Sequence, residues 1–214
     1  MNPAVIPTSA ATHVSIVAIT STVARLLFGS LTDLLAPTSV GHHYQSASNS
    51  LASLPPQNHR FAVSRVAFLI GSAFLLSLGQ VILASGAIQE HAERFWIVST
   101  LIGSGYGAIF SLTPLIITVI WGVENFGTNW GIVATVPALG ATVWGVVYST
   151  VYQWGAEKSA SSNGVDPKEE ILCYGKQCYA TSFWAMAVSV WVGCGLLIWA
   201  WKGKNGWSQR GIAV

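Results

Sequence analysis

Charge is what this sequence has least of. Asp, Glu, Lys and Arg make up 8% of the 214 residues, against about a quarter in an ordinary soluble domain. The shortage comes in blocks: residues 1–24, 66–88, 95–123, 125–156 and 177–201 contain none of the four. Nowhere do basic residues cluster, which argues against nucleic acid as a partner. Other absences are equally informative. The chain has no glycine-rich phosphate loop, no nucleophile elbow, no helical His-Glu pair and no cluster of ligands at metal spacing. No catalytic residue, cofactor or metal is therefore expected, and the chain does not read as an enzyme. The opening MNPAVIPTSAAT lacks the basic stretch of a cleavable signal peptide, so the first apolar segment is expected to stay in the mature chain.

What is present is apolar length. Hydrophobic residues form 52% of the chain and the mean hydropathy is +0.53. A helix needs about 20 apolar residues to cross the bilayer core; each of the last four uncharged blocks supplies one crossing, and the opening segment adds another, ending near Leu35. The stretch VAFLIGSAFLLSLGQVILASGAI is apolar on every face, whereas strands of an outer-membrane barrel alternate. The expected fold is an all-α, polytopic membrane helix bundle of five transmembrane helices, with the lipid bilayer as its surroundings.

Six regions follow. Residues 1–35 hold the first span, 36–62 a flexible cytosolic loop, and 63–152 three spans. Residues 153–180 form an outer polar loop with the breakers Asn163-Gly164 and Asp166-Pro167, 181–201 the last span, and 202–214 a cytosolic tail too short to fold. With the end of the first span cytosolic, the inner side holds Arg25, Arg60, Arg65, Lys202, Lys204 and Arg210. The outer side holds Arg94, Lys158, Lys168 and Lys176, a modest positive-inside bias. His42 and His43 lie in the 36–62 loop with no acidic residue or cysteine nearby, so a solvated loop is the simpler reading than a metal site.

Inside the spans, polar residues stand out. Arg25, Gly29 and Asp33 follow one another at i, i+4 and i+8 on one helical face. The Arg25 Cα lies about 12 Å deeper than that of Asp33. An arginine within a span marks either a substrate path or a side chain snorkelling to the headgroups. The third span holds Gly103 and Gly107 at close-packing spacing, a third glycine at Gly105, and Pro114, which is expected to kink it. Tyr106 and Thr113 of the same span are candidates to line a cavity. Gly127 and Gly131 fall in the turn expected between spans three and four, where Thr128 or Asn129 is positioned to cap the next helix. Cys173 and Cys178 share the outer loop, either as a disulfide or as two free thiols, and Cys194 reads as a small buried residue of the last span.

GSLTD, Gly29 to Asp33, resembles the Gly-x-x-x-Asp core of the cytosolic loop motif of the major facilitator superfamily. YGAIFSLTPLIITVIWGVENFGTNWGI resembles the tenth helix and following turn of its nodulin-like and fungal monocarboxylate-transporter-homologue branch. The resemblance implies helices eight to twelve of a twelve-helix transporter, moving a small, monocarboxylate-like anionic solute by alternating access. VARLLFG is similar to the eighth helix of monocarboxylate transporters, which makes Arg25 the carboxylate contact and Gly29–Asp33 a gate element. Two departures accompany it. Ser21 stands where that family has an acidic partner, leaving His13 as the other proton-exchanging group of the span, and Asp33 is followed by Leu34, Leu35 and Ala36 rather than basic residues. The implied partner is the amino-terminal transporter half, absent from these residues as in a carboxyl-terminal fragment. The implied location is a fungal vacuolar membrane. The alternative from another class is a non-transporting helical-bundle interaction protein joined through its small-residue faces.

Overall fold

The computed structural model describes residues 10–35, 63–89, 91–163, 173 and 175–212; His42, His43 and the 36–62 loop lie outside them. Five long helices account for most of the described chain: α1 (Ala10–Leu35), α2 (Arg65–Ser85), α3 (Phe95–Trp121), α4 (Phe126–Asn163) and α5 (Ala180–Lys202). Each has a segment long and apolar enough to cross a membrane. Short 3-10 turns at Ala92–Arg94 and Lys176–Cys178 lead into α3 and α5. Local chemistry sets several boundaries. The Ser64 hydroxyl accepts from the Val66 amide at the start of α2, and Gly86, in the left-handed region at φ +78°, closes it.

The third helix is central because small residues on opposite sides of it admit two neighbours. A Cβ built on Gly103 would lie 2.8 Å from the Val17 carbonyl oxygen, and one on Gly107 2.7 Å from the Ser21 Cα. These two glycines bring α1 into near-backbone contact. Gly105 points the other way, where a Cβ would sit 2.7 Å from the Leu76 backbone nitrogen of α2. Positions 103 and 107 share a face, while 105 lies about 200° round the helix from 103. GSGYG therefore serves two interfaces at once. His13 meets Ser99 and Arg25 meets Ser111, so α1 and α3 run parallel, whereas α2 is antiparallel to both α3 and α5. The α2–α5 pair is tied by the Trp191 indole, which donates to the Ser77 hydroxyl at 3.1 Å.

The last residues do fold, against the expectation that they are too few. The Gly203, Trp207 and Ser208 amides donate to the carbonyls of Trp199, Ala200 and Trp201, satisfying the end of α5. Asn205 and Gly211 take positive φ to reverse the chain. Trp207 and Ile212 then pack on the buried pair Val66 and Ile116. A terminal helix end with unpaired carbonyls and an uncovered apolar pair gives even a short segment something to bind.

The remaining elements depart from the sequence expectations at their edges. The fourth helix continues to Asn163 rather than stopping near Tyr152, stabilised by the Ser159 hydroxyl on the Gly155 carbonyl and by Lys158 over the Trp154 ring. The turn before it is only Gly122–Asn125, so Gly127 and Gly131 lie in the first turns of α4 with open space around them. Pro114 does not interrupt α3, which is helical throughout.

Candidate functional site

The site starts from how α1 is held. Close approach at Gly103 and Gly107 buries Ser21 and Ala24 against α3. One turn on, the Ser111 hydroxyl donates to the Arg25 carbonyl at 3.3 Å. The Arg25 backbone is thus fixed while its side chain projects to the exposed edge of the α1–α3 pair. There the guanidinium carbon stands 5.6 Å from the centroid of the Phe110 ring, within cation–π range. Tyr106, one turn before Phe110, leans on it with ring centroids 4.6 Å apart and is itself 43% exposed.

The Phe110 ring also forms part of a second feature. A cavity of about 150 Å³ lies between α3 and α4, lined by Ile109, Phe110, Thr113, Trp130, Val133, Ala134, Val136 and Pro137. Thr113 turns little polarity into it, since its hydroxyl donates to the Ile109 carbonyl at 2.7 Å. A proline has no amide hydrogen to give the carbonyl four residues earlier. Pro114 leaves the Phe110 carbonyl in that state and Pro137 does the same for Val133. Both loosened turns therefore border this cavity. Phe110 is shared by both features: Arg25 and Tyr106 contact its ring, and Thr113 lines the cavity beside it without contacting either of them. Sequence reasoning missed Phe110, Trp130 and Pro137. Pro137 was legible as a proline inside an uncharged run; Phe110 had no signal apart from its spacing, four residues after Tyr106 and one turn before Pro114.

The other expected site residues lie elsewhere. Asp33 is exposed two turns beyond Arg25 and, among the described residues, forms no ion pair or side-chain hydrogen bond. Gly29 is not a tight contact, because a Cβ there would sit 3.6 Å from the Ser111 hydroxyl. Ser21, where the resemblance expects a carboxylate, is buried with its backbone on Gly107. His13 is near the start of α1, hydrogen-bonded to Ser99 at 3.2 Å and edge-on to Phe95, about 18 Å along the helix from Arg25. Cys173 and Cys178 are joined by a disulfide and Cys194 is a buried free cysteine.

Five membrane-length helices, apolar outer faces and an arginine held within a span against an aromatic ring define an integral, multi-pass helical membrane protein. Comparison with known proteins narrows this. Over 208 residues, 97% of the chain, it is 65% identical to "Probable transporter mch1" of Neurospora crassa. It is 56% identical over 207 residues to "Probable transporter MCH1" of Gibberella zeae, and 47% identical over 215 to "Probable transporter mch1" of Emericella nidulans. The chain is a homologue of these fungal proteins and spans about a third of their length: 34%, 36% and 32%. No family model and no solved structure matches it.

Proposed function

We propose that these five helices are the carboxyl-terminal portion of a major-facilitator transporter that moves a small monocarboxylate-like anion by alternating access. The observation that carries this is the Arg25 guanidinium, held within a span over Phe110 and, among the described residues, without a carboxylate partner. A cation in that position is costly unless something uses it. A solute carboxylate fits, since the planar guanidinium accepts it through two parallel hydrogen bonds. Tyr106 and Thr113 form the wall beside it. The Pro-loosened turns of α3 and α4 supply flexibility where a moving helix needs it.

In this reading the ends of α1, α3 and α5 and the starts of α2 and α4 face the cytosol, with Gly29–Asp33 as a gate element there. The exposed sides of α1 and α4 face the helices contributed by the rest of the longer relatives. The membrane is the vacuolar one. The relatives' names support transport, and nothing favours the interaction-protein alternative.

The test is a chimera in which this chain replaces the matching third of the Neurospora crassa relative, reconstituted in proteoliposomes. Labelled acetate, lactate and pyruvate are offered beside neutral solutes of similar size. The reading expects saturable uptake of a carboxylate, accelerated by the unlabelled compound on the opposite side, as alternating access requires. Uptake no faster than in empty liposomes, or uptake of neutral solutes alone, contradicts it.

A further inference from the structure

Along α4, every residue of described burial is exposed or half-buried except two neighbours, Gly155 and Ala156. The disulfide turn lies against the first of them. A Cβ on Gly155 would stand 2.9 Å from the Cys173 sulfur and 3.4 Å from both the Cys178 Cα and the Gln177 carbonyl oxygen. On either side of that contact are hydrogen bonds to the same helix. The Cys173 amide donates to the Tyr152 hydroxyl at 3.3 Å, and the Gln177 side-chain amide donates to the Ser159 hydroxyl at 2.8 Å. Tyr152, Gly155 and Ser159 recur at helical spacing on one stripe. The turn continues directly into α5, which begins at Ala180. Beyond it, α4 and α5 meet at their facing aromatic rings, Tyr148 and Phe183.

We propose that the Cys173–Cys178 disulfide is a redox-sensitive clasp that docks the end of α4 onto the start of α5, and that a small dithiol opens it. The closed ring holds the Cys173 sulfur on Gly155 and its amide on Tyr152. Cys178 is 4% exposed, so the reductant's thiolate attacks the more accessible Cys173 sulfur. The sulfur–sulfur bond breaks, Cys178 leaves as a thiolate and takes a proton, and a mixed disulfide forms on Cys173. The second thiolate of the reductant then closes on its own sulfur. Cys173 is released as a thiolate that takes a second proton, and the reductant departs as a cyclic disulfide, two electrons having passed to the protein. The chain has three cysteines and the third, Cys194, is free, so a dithiol finds one bond to open. Once it is open, no covalent ring holds Cys173 and Cys178 together against Gly155, and the adjoining turns of α4 loosen back toward Tyr148.

The experiment is hydrogen–deuterium exchange on the full chain in lipid nanodiscs, with and without dithiothreitol. Reduction is expected to speed exchange across residues 149–159 at least about tenfold while leaving α1 and α3 unchanged. The double variant Cys173→Ser/Cys178→Ser should show the fast exchange without reductant and no response to it. Gly155→Val keeps the disulfide but crowds its seat, and should show the same acceleration. Unchanged exchange on reduction overturns the clasp. So does equal acceleration in all five helices, or a Gly155→Val chain that exchanges like the unaltered one.

Discussion

The guanidinium carbon of Arg25 lies 5.6 Å from the centroid of the Phe110 ring, and that ring lines the cavity between α3 and α4. One aromatic side chain thus links the intramembrane cation to the turns that Pro114 and Pro137 loosen. A cation–π contact is worth about 0.5–2 kcal/mol, depending on desolvation. Phe110→Leu keeps apolar bulk but removes the ring quadrupole that orients Arg25. In the chimera it should raise KM for the transported anion by about 2- to 30-fold and lower the maximal rate less. Initial-rate uptake across a substrate series checks this.

The glycines of α3 separate by what faces them. Gly107→Val drives a branched side chain into the Ser21 backbone, which cannot swing aside. Overpacking of that kind costs about 1–3 kcal/mol, so the midpoint of thermal unfolding in detergent should fall by several degrees. Gly127→Ala meets open space within a helix and should be neutral or stabilising by up to about 1 kcal/mol. Side-by-side melting curves of the two variants distinguish an interface glycine from an incidental one.

Removing the anchor of the carboxyl-terminal turn should also be costly. Trp207→Ala uncovers Val66 and Ile116 and leaves the Ala200 carbonyl dependent on an unanchored amide. Because Trp207 is half-buried, the loss should lie below the range of about 3–5 kcal/mol for a core tryptophan. Limited proteolysis checks it: the variant should be cut between Gly203 and Ile212 under conditions that leave the unaltered chain intact.

The five helices were legible because a crossing is built almost wholly of apolar residues, and long charge-free blocks are easy to read. The close approach of α1 to α3 was half legible. Gly103 and Gly107 announced a partner, but nothing in their spacing said that Gly105 would admit a second. Arg25 and Asp33 were visible as charges in an apolar setting. Phe110 was not, because an aromatic residue in a span is unremarkable until its neighbour across the interface is known. The turn beyond α5 was misjudged for a related reason. Its length said little, while the buried pair that Trp207 and Ile212 cover comes from α2 and α3, far off in sequence. The end of α4 lay beyond Tyr152 because polar residues such as Glu157, Lys158 and Ser159 form helix readily once outside the apolar core.

The most direct measurement is anion uptake by the chimera with Arg25 unaltered, Arg25→Lys and Arg25→Ala. Truncating one partner of a desolvated charge pair costs about 2–5 kcal/mol. Arg25→Ala should therefore lose at least about thirtyfold in kcat/KM, with unchanged protein in the membrane. Arg25→Lys should fall between, since an ammonium keeps the charge but not the two-pronged geometry. Uptake by Arg25→Ala equal to that of the unaltered chimera would contradict the account, and would leave Arg25 as a side chain reaching for the headgroups.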